Sequence, residues 1–151
     1  MVISSPVDSI RITATLTRLL RLVDERLRLS ADDQVGLTEL GVLGAIESGI
    51  ELPSAIARLM RLDPGRVTRV VDLLVKQGYI KRGVDAHDRR RCPLSLTVEG
   101  NDRLRDGRAI VTATMGSVVG KLEDDHRDNL ISALDNLRAV LDELPPPMAT
   151  V

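Results

Sequence analysis

Phenylalanine and tryptophan are absent from this 151-residue chain, and Tyr79 is its only aromatic residue. Leucine, valine, isoleucine and alanine must therefore fill the core, and the stacked aromatic platforms that hold single-stranded nucleic acid are missing. A single cysteine, Cys92, cannot close an internal disulfide or build a zinc site by itself. The two histidines, His87 and His126, are far apart in sequence and lack a partner at metal-ligand spacing. Asp124-Asp125-His126 reads as an acid-rich helix start, so no metal is expected. No apolar run approaches the roughly 20 residues that span a bilayer, and Met1 to Asp8 lacks the basic and apolar regions of a secretion signal. A cytoplasmic location is the expectation. There is no phosphate-cradling glycine loop, no nucleophile elbow and no histidine beside a serine or carboxylate pair, so no catalytic residue and no cofactor are expected.

What is present is a division of charge. The formal net charge is −1. Between Leu52 and Thr97, however, ten basic residues face four acidic ones, a balance of +6 that leaves −7 for the rest. A basic middle between acidic flanks is the electrostatic footprint of a site for a polyanion.

Periodicity divides the chain without splitting it. Ser5 as N-cap, Pro6 in the first turn and Asp8 at the favourable end of the dipole predict a helix start. Ile12, Leu16, Leu19, Leu20, Val23 and Leu27 extend that helix to about Leu29. A polar connector, Ser30 to Val35, precedes a short helix after Thr38 that stops at Gly49. Pro53 opens a third helix. Asp63-Pro64 then supplies an N-cap and a first-turn proline for a fourth, whose inward face is Val67, Val70, Val71 and Leu74 and which ends at Gly78. Two short helices across a tight turn predict a helix-turn-helix with the second as reader.

Tyr79 to Val84 and Cys92 to Leu96 flank a charged run and predict a β-hairpin, with Cys92 where the hairpin becomes a buried strand. Thr97 caps the next helix, roughly 98 to 121, and a last helix over 124 to 143 carries Leu130, Leu134, Leu137, Leu141 and Leu144. Pro145-Pro146-Pro147 ends helical structure, and a disordered tail is expected over 145–151. The expected fold is mainly α with a small β-hairpin wing, a winged helix-turn-helix. Its reader helix would enter a major groove while the arginine-rich tip reaches a minor groove, where negative potential concentrates.

Leu74-Val75-Lys76-Gln77-Gly78-Tyr79-Ile80, the wing residues Asp85, Asp88, Arg89 and Arg90, and Leu94-Ser95-Leu96-Thr97-Val98-Glu99-Gly100 resemble the hallmark segment of the MarR family of winged-helix transcription regulators. Gly65 and Arg66 depart from the small hydroxylic or polar residues more usual at the front of the reader helix. The resemblance implies a single domain over 1–151, with residues 1–36 and 98–144 forming a helical dimerisation region around a DNA-binding lobe at 37–97. It also implies a homodimeric regulator, expected to be a repressor, on a pseudo-palindromic double-stranded operator, with a small-molecule effector where the helical region meets the lobe.

Residue types then distribute the roles. Arg69 suits a bidentate contact to guanine and Thr68 a thymine methyl, while Arg66 and Lys76 suit phosphate. Ser54, at the start of the third helix, suits phosphate or a simple capping role. Arg90 fits the minor groove, Arg89 and Arg91 phosphate or solvent, and Asp88 with Asp85 a brace for the turn. Arg11, Arg18 or Arg21 would meet an anionic ligand where the helical region meets the lobe, against the more ordinary role for each of facing solvent or pairing with nearby acids across the dimer. The alternative to a DNA-binding regulator is a winged-helix protein-interaction or ligand-binding module, and the +6 segment weighs against it.

Overall fold

A computed structural model describes residues 6–84 and 92–145. Six helices and one two-stranded sheet follow in the order α1 (Pro6–Leu29), α2 (Leu37–Glu47), α3 (Pro53–Met60), α4 (Pro64–Lys76), β1 (Ile80–Arg82), β2 (Leu94–Leu96), α5 (Val98–Val119) and α6 (Asp124–Glu143). The expected capping residue Ser5, the hairpin tip Asp85–Arg91 and the tail from Pro146 lie outside the described residues.

The core is built where the apolar patterns meet. Val42, Leu43 and Ile46 of α2, Ile56 of α3, Val67, Val71 and Leu74 of α4, Ile80 of β1 and Leu94 of β2 are all buried. Val23 and Leu27 from the end of α1 and Leu104 from α5 close over them. The helical region is thus not a separate body, because its inner ends are part of the lobe's core. Gly107 makes this close packing possible on α5, since a Cβ there would run into Leu40.

Local chemistry sets the boundaries. The second helix begins at Leu37, two residues before the expected start after Thr38. Its first amides are met by two carboxylates: Leu37 N–H donates to Asp24 on α1 at 2.7 Å, and the N-cap Gly36 N–H donates to Glu39 of α2 itself at 3.0 Å. Gly49 and Gly78 have φ of +85° and +76°, so both expected stops fall where left-handed backbone favours glycine. Asp63 accepts from Arg66 N–H at 3.0 Å and caps α4. Thr97 accepts from Gly100 N–H at 3.0 Å and caps α5.

The hairpin is antiparallel, with Ile80 opposite Leu96, Lys81 opposite Ser95 and Arg82 opposite Leu94. Its strands are shorter than expected. Pro93 has no N–H for the ladder, so pairing ends with Gly83 N–H donating to Pro93 O at 2.7 Å. For the same reason Cys92 precedes the strand and is exposed, which overturns its expected place in a buried strand. Leu94 is the first residue to turn inward, and its N–H donates to Glu51 O at 2.9 Å, tying the wing to the loop before α3.

Candidate DNA interface

The turn between α3 and α4 is tight. Met60 ends α3, Arg61 adopts φ 51° and ψ 41°, and Asp63 already caps α4. With Val67, Val70, Val71 and Leu74 turned into the core, helical geometry leaves Arg66, Thr68, Arg69, Asp72 and Lys76 on the opposite face, and all five are exposed. The structure therefore brings the four reader-helix candidates onto one open surface. No described residue holds Arg69 or Lys76 by a hydrogen bond or ion pair. Thr68 donates its hydroxyl to Pro64 O at 3.0 Å, which leaves its methyl as the group it offers outward. Arg66 donates to Thr38 Oγ1 at 3.3 Å and with Arg69 and Glu39 borders a shallow depression of about 440 Å³ between α2 and α4.

Asp72, the acid on this face, is neutralised by Arg82 of β1 at 2.5 Å. Both side chains are substantially exposed, so the pair contributes little to stability. Its effect is geometric, since it joins the reader helix to the first strand of the wing. Ser54 is exposed in the first turn of α3, but the N-cap is Leu52, so the capping role open to Ser54 is not the one it plays. Asp88, Arg89, Arg90 and Arg91 lie outside the described residues.

The lobe is locked by a polar cluster the sequence did not reveal. Asp33, Tyr79 and Arg103 come from the α1–α2 connector, the start of the wing and α5. Arg103 Nε donates to Asp33 Oδ2, and its Nη2 reaches Asp33 Oδ1 at 3.3 Å and Leu27 O at 3.3 Å. Tyr79 donates its hydroxyl to Asp33 Oδ2 at 2.9 Å, and the Gln77 amide donates to Asp33 O. Both ion-pair side chains are under a tenth exposed. Burial by itself would raise the Asp33 carboxyl, but the Arg103 guanidinium, the Val35 N–H and the Tyr79 hydroxyl outweigh it and hold the acid below its usual range. Burial and the neighbouring Asp33 carboxylate together push the Tyr79 phenol above its ordinary value. Sequence offered one signal for this cluster, the isolation of Tyr79 as the sole aromatic.

In the helical region α1, α5 and α6 border an open groove of about 1090 Å³. Leu16, Leu19, Leu22, Met115, Leu130 and Leu134 form its apolar walls, with Arg18, Arg21 and Arg127 among its polar residues. Of the three ligand candidates the structure brings Arg18 and Arg21 to this groove, while Arg11 is exposed further along α1 and is not part of the lining. The groove lies within the helical region instead of at its junction with the lobe.

Residues 33–91 match the family model described as MarR family. An HTH-type transcriptional regulator, MT0903.1 of Mycobacterium tuberculosis, is 26% identical over 137 residues, which cover 89% of this chain and 96% of that protein. Among solved structures, FabT of Streptococcus pneumoniae in complex with DNA superposes with a TM-score of 0.75 at 22% identity, over 91% of this chain and 96% of that one. CouR of Rhodococcus jostii bound to p-coumaroyl-CoA superposes with a TM-score of 0.72 at 22% identity, over 99% and 100%. These likenesses extend the winged-helix fold to nearly the full length.

Proposed function

We propose that this chain, whose residues 33–91 match the MarR family model, is a homodimeric repressor that binds a pseudo-palindromic operator and is released by a small-molecule effector. The observation that carries the DNA-binding reading is the face of α4, where Arg66, Thr68, Arg69 and Lys76 stand exposed, and Asp72 is masked by Arg82. In this reading Arg69 and Thr68 reach base edges, while Arg66, Lys76 and Ser54 hold phosphate. In the wing, Arg90 enters the minor groove on the operator's outer flank, with Arg89 and Arg91 on phosphate and Asp88 bracing the turn.

Two copies are required because paired reader helices must lie about 34 Å apart to meet successive major grooves. The surface that supports dimerisation is the uncovered apolar side of α1 and α6, where Ile12, Leu20, Ile131 and Val140 are each more than half exposed. Sedimentation of the full chain at micromolar concentration is expected to give a dimer. A monomer there would overturn this part of the reading.

Supporting an effector are the aliphatic walls of the α1–α5–α6 groove and the guanidinium groups of Arg18 and Arg21, a chemistry that suits an anion with an apolar body. CouR, of the same fold, was solved with p-coumaroyl-CoA, a ligand of that general character.

The decisive experiment is selection from randomised duplexes followed by titration. Arg69→Ala should cost about 1–3 kcal/mol on the selected operator and relax preference at one symmetric pair of positions. Lys76→Ala should weaken all sequences alike and lower the salt slope by about one. Unchanged preference in Arg69→Ala would remove that residue from the base-reading set. No duplex selected by the wild-type chain would favour a protein-interaction module.

A further inference from the structure

Helix α6 leaves the far end of α5 and returns to the lobe without burying a single residue along its length. Its carbonyl end is unusual in what it lacks. The last turn carries no basic residue, and the chain leaves it through Leu144 in extended backbone, with no glycine to turn the final carbonyls inward.

That end is satisfied from outside. Arg61, in the turn between α3 and α4, donates through Nη2 to Leu141 O at 2.8 Å and Leu144 O at 2.5 Å, and through Nη1 to Pro145 O at 3.2 Å. A guanidinium at the carbonyl end of a helix meets both the orphan acceptors and the negative pole of the dipole. Among the described residues no carboxylate lies within ion-pair distance of Arg61, so these carbonyls are its partners.

The backbone of Arg61 makes the same point. It adopts the left-handed conformation, where glycine is the ordinary choice and a Cβ costs roughly 1 kcal/mol. Arg61 is the C-cap of α3, and the residue that holds this conformation carries the side chain that reaches the three carbonyls. Two positions later Asp63 caps α4. The end of α6 is therefore fastened within two residues of the point that sets where the reader helix begins.

We propose that Arg61 is a positioning residue that clamps the carbonyl end of α6 to the helix-turn-helix turn, so that α6 fixes the direction in which α4 is presented to DNA. The proposal rests on the DNA-binding reading for its consequence, though not for the clamp itself. It also withdraws Arg61 from the basic residues available to phosphate.

Two full-length variants test it, Arg61→Gly, which suits the backbone and removes the side chain, and Arg61→Lys, which keeps the charge but loses the planar fork. Hydrogen exchange is measured without DNA. In both variants, peptides covering 137–145 and 61–66 should exchange at least about tenfold faster than in the wild type, with the α2 core unchanged. Binding is then titrated against operators whose half-sites are respaced by one base pair, at two salt concentrations. Both variants should tolerate the respaced operators better than the wild type does, with the salt slope unaltered.

A simple phosphate contact gives a different pattern: Arg61→Lys restores wild-type behaviour and Arg61→Gly lowers the salt slope by about one. That pattern, or unchanged exchange in the 137–145 peptides, overturns the clamp. Failure of the wild-type chain to bind any duplex removes the regulatory reading, while the exchange measurement still decides the clamp.

Discussion

Helices α4 and α6 carry the same kind of pattern and meet opposite fates. Both repeat apolar residues at three- and four-residue steps. In α4 the inward residues Val67, Val70, Val71 and Leu74 are at most 7% exposed, whereas in α6 Leu130, Leu134, Leu137 and Leu141 are 37–46% exposed. The difference lies in what stands opposite. α4 closes against α2, α3 and the hairpin, and α6 faces a groove. An amphipathic stripe records that a face is to be covered and leaves open whether the cover comes from the same chain. In this molecule the lobe covers its own stripes, and α6 leaves its stripe open.

The sharpest way to break that contrast is to unlock the lobe. Asp33→Asn leaves the buried Arg103 without its counter-charge and should destabilise the full chain by about 3–5 kcal/mol in denaturant titration. The variant also tests the acid limb. Because the folded Asp33 carboxyl is held below its usual range, the stability it contributes is complete above the unfolded value of about 3.9 and is lost as pH falls through the lower folded value. Wild-type stability should decline across that acid window more steeply than that of Asp33→Asn. Parallel curves would show that Asp33 is not the group being protonated.

Next in size is a matched pair of truncations. Leu74→Ala, at a fully buried position, should cost about 2–5 kcal/mol whatever the protein concentration. Leu137→Ala, at a position 41% exposed, should instead weaken self-association, with an effect that grows on dilution. Thermal unfolding of both at two concentrations separates the cases. A concentration-independent loss in Leu137→Ala would place α6 inside the monomer's own core. Smallest is the cap of the reader helix: Asp63→Ala should cost about 1 kcal/mol, read from the denaturation midpoint.

Much of the lobe was legible in the sequence because its punctuation is local. Asp63-Pro64, Gly49, Gly78 and Thr97 each act on residues within a turn of themselves, and each sits at an element boundary in the structure. The reader-helix face was legible for the same reason, since one helical period separates inward from outward residues. What escaped was long-range or idiosyncratic. Asp33, Tyr79 and Arg103 meet across three separate elements, and Arg103 sits among Asp102, Arg105 and Asp106 in what reads as a solvated helix. Arg61 looked like one more cation in a basic segment. Neither its left-handed backbone nor the distant carbonyls it meets leave a trace in its neighbours. Cys92 was misplaced because the proline after it shortens the strand, a one-residue effect with consequences for burial.

Tyr79 has a spectroscopic consequence. With no tryptophan or phenylalanine in the chain, it is the sole aromatic chromophore, and its phenol is hydrogen-bonded to the carboxylate at the centre of the lobe's buried cluster. Near-ultraviolet absorbance and tyrosine emission therefore report on one location, whereas far-ultraviolet circular dichroism reports on all six helices at once. Unfolding followed both ways compares the lobe with the whole molecule without any label. Coincident transitions are expected if the helices melt together with the buried cluster, and a far-ultraviolet transition that precedes the tyrosine one would show helix lost apart from it.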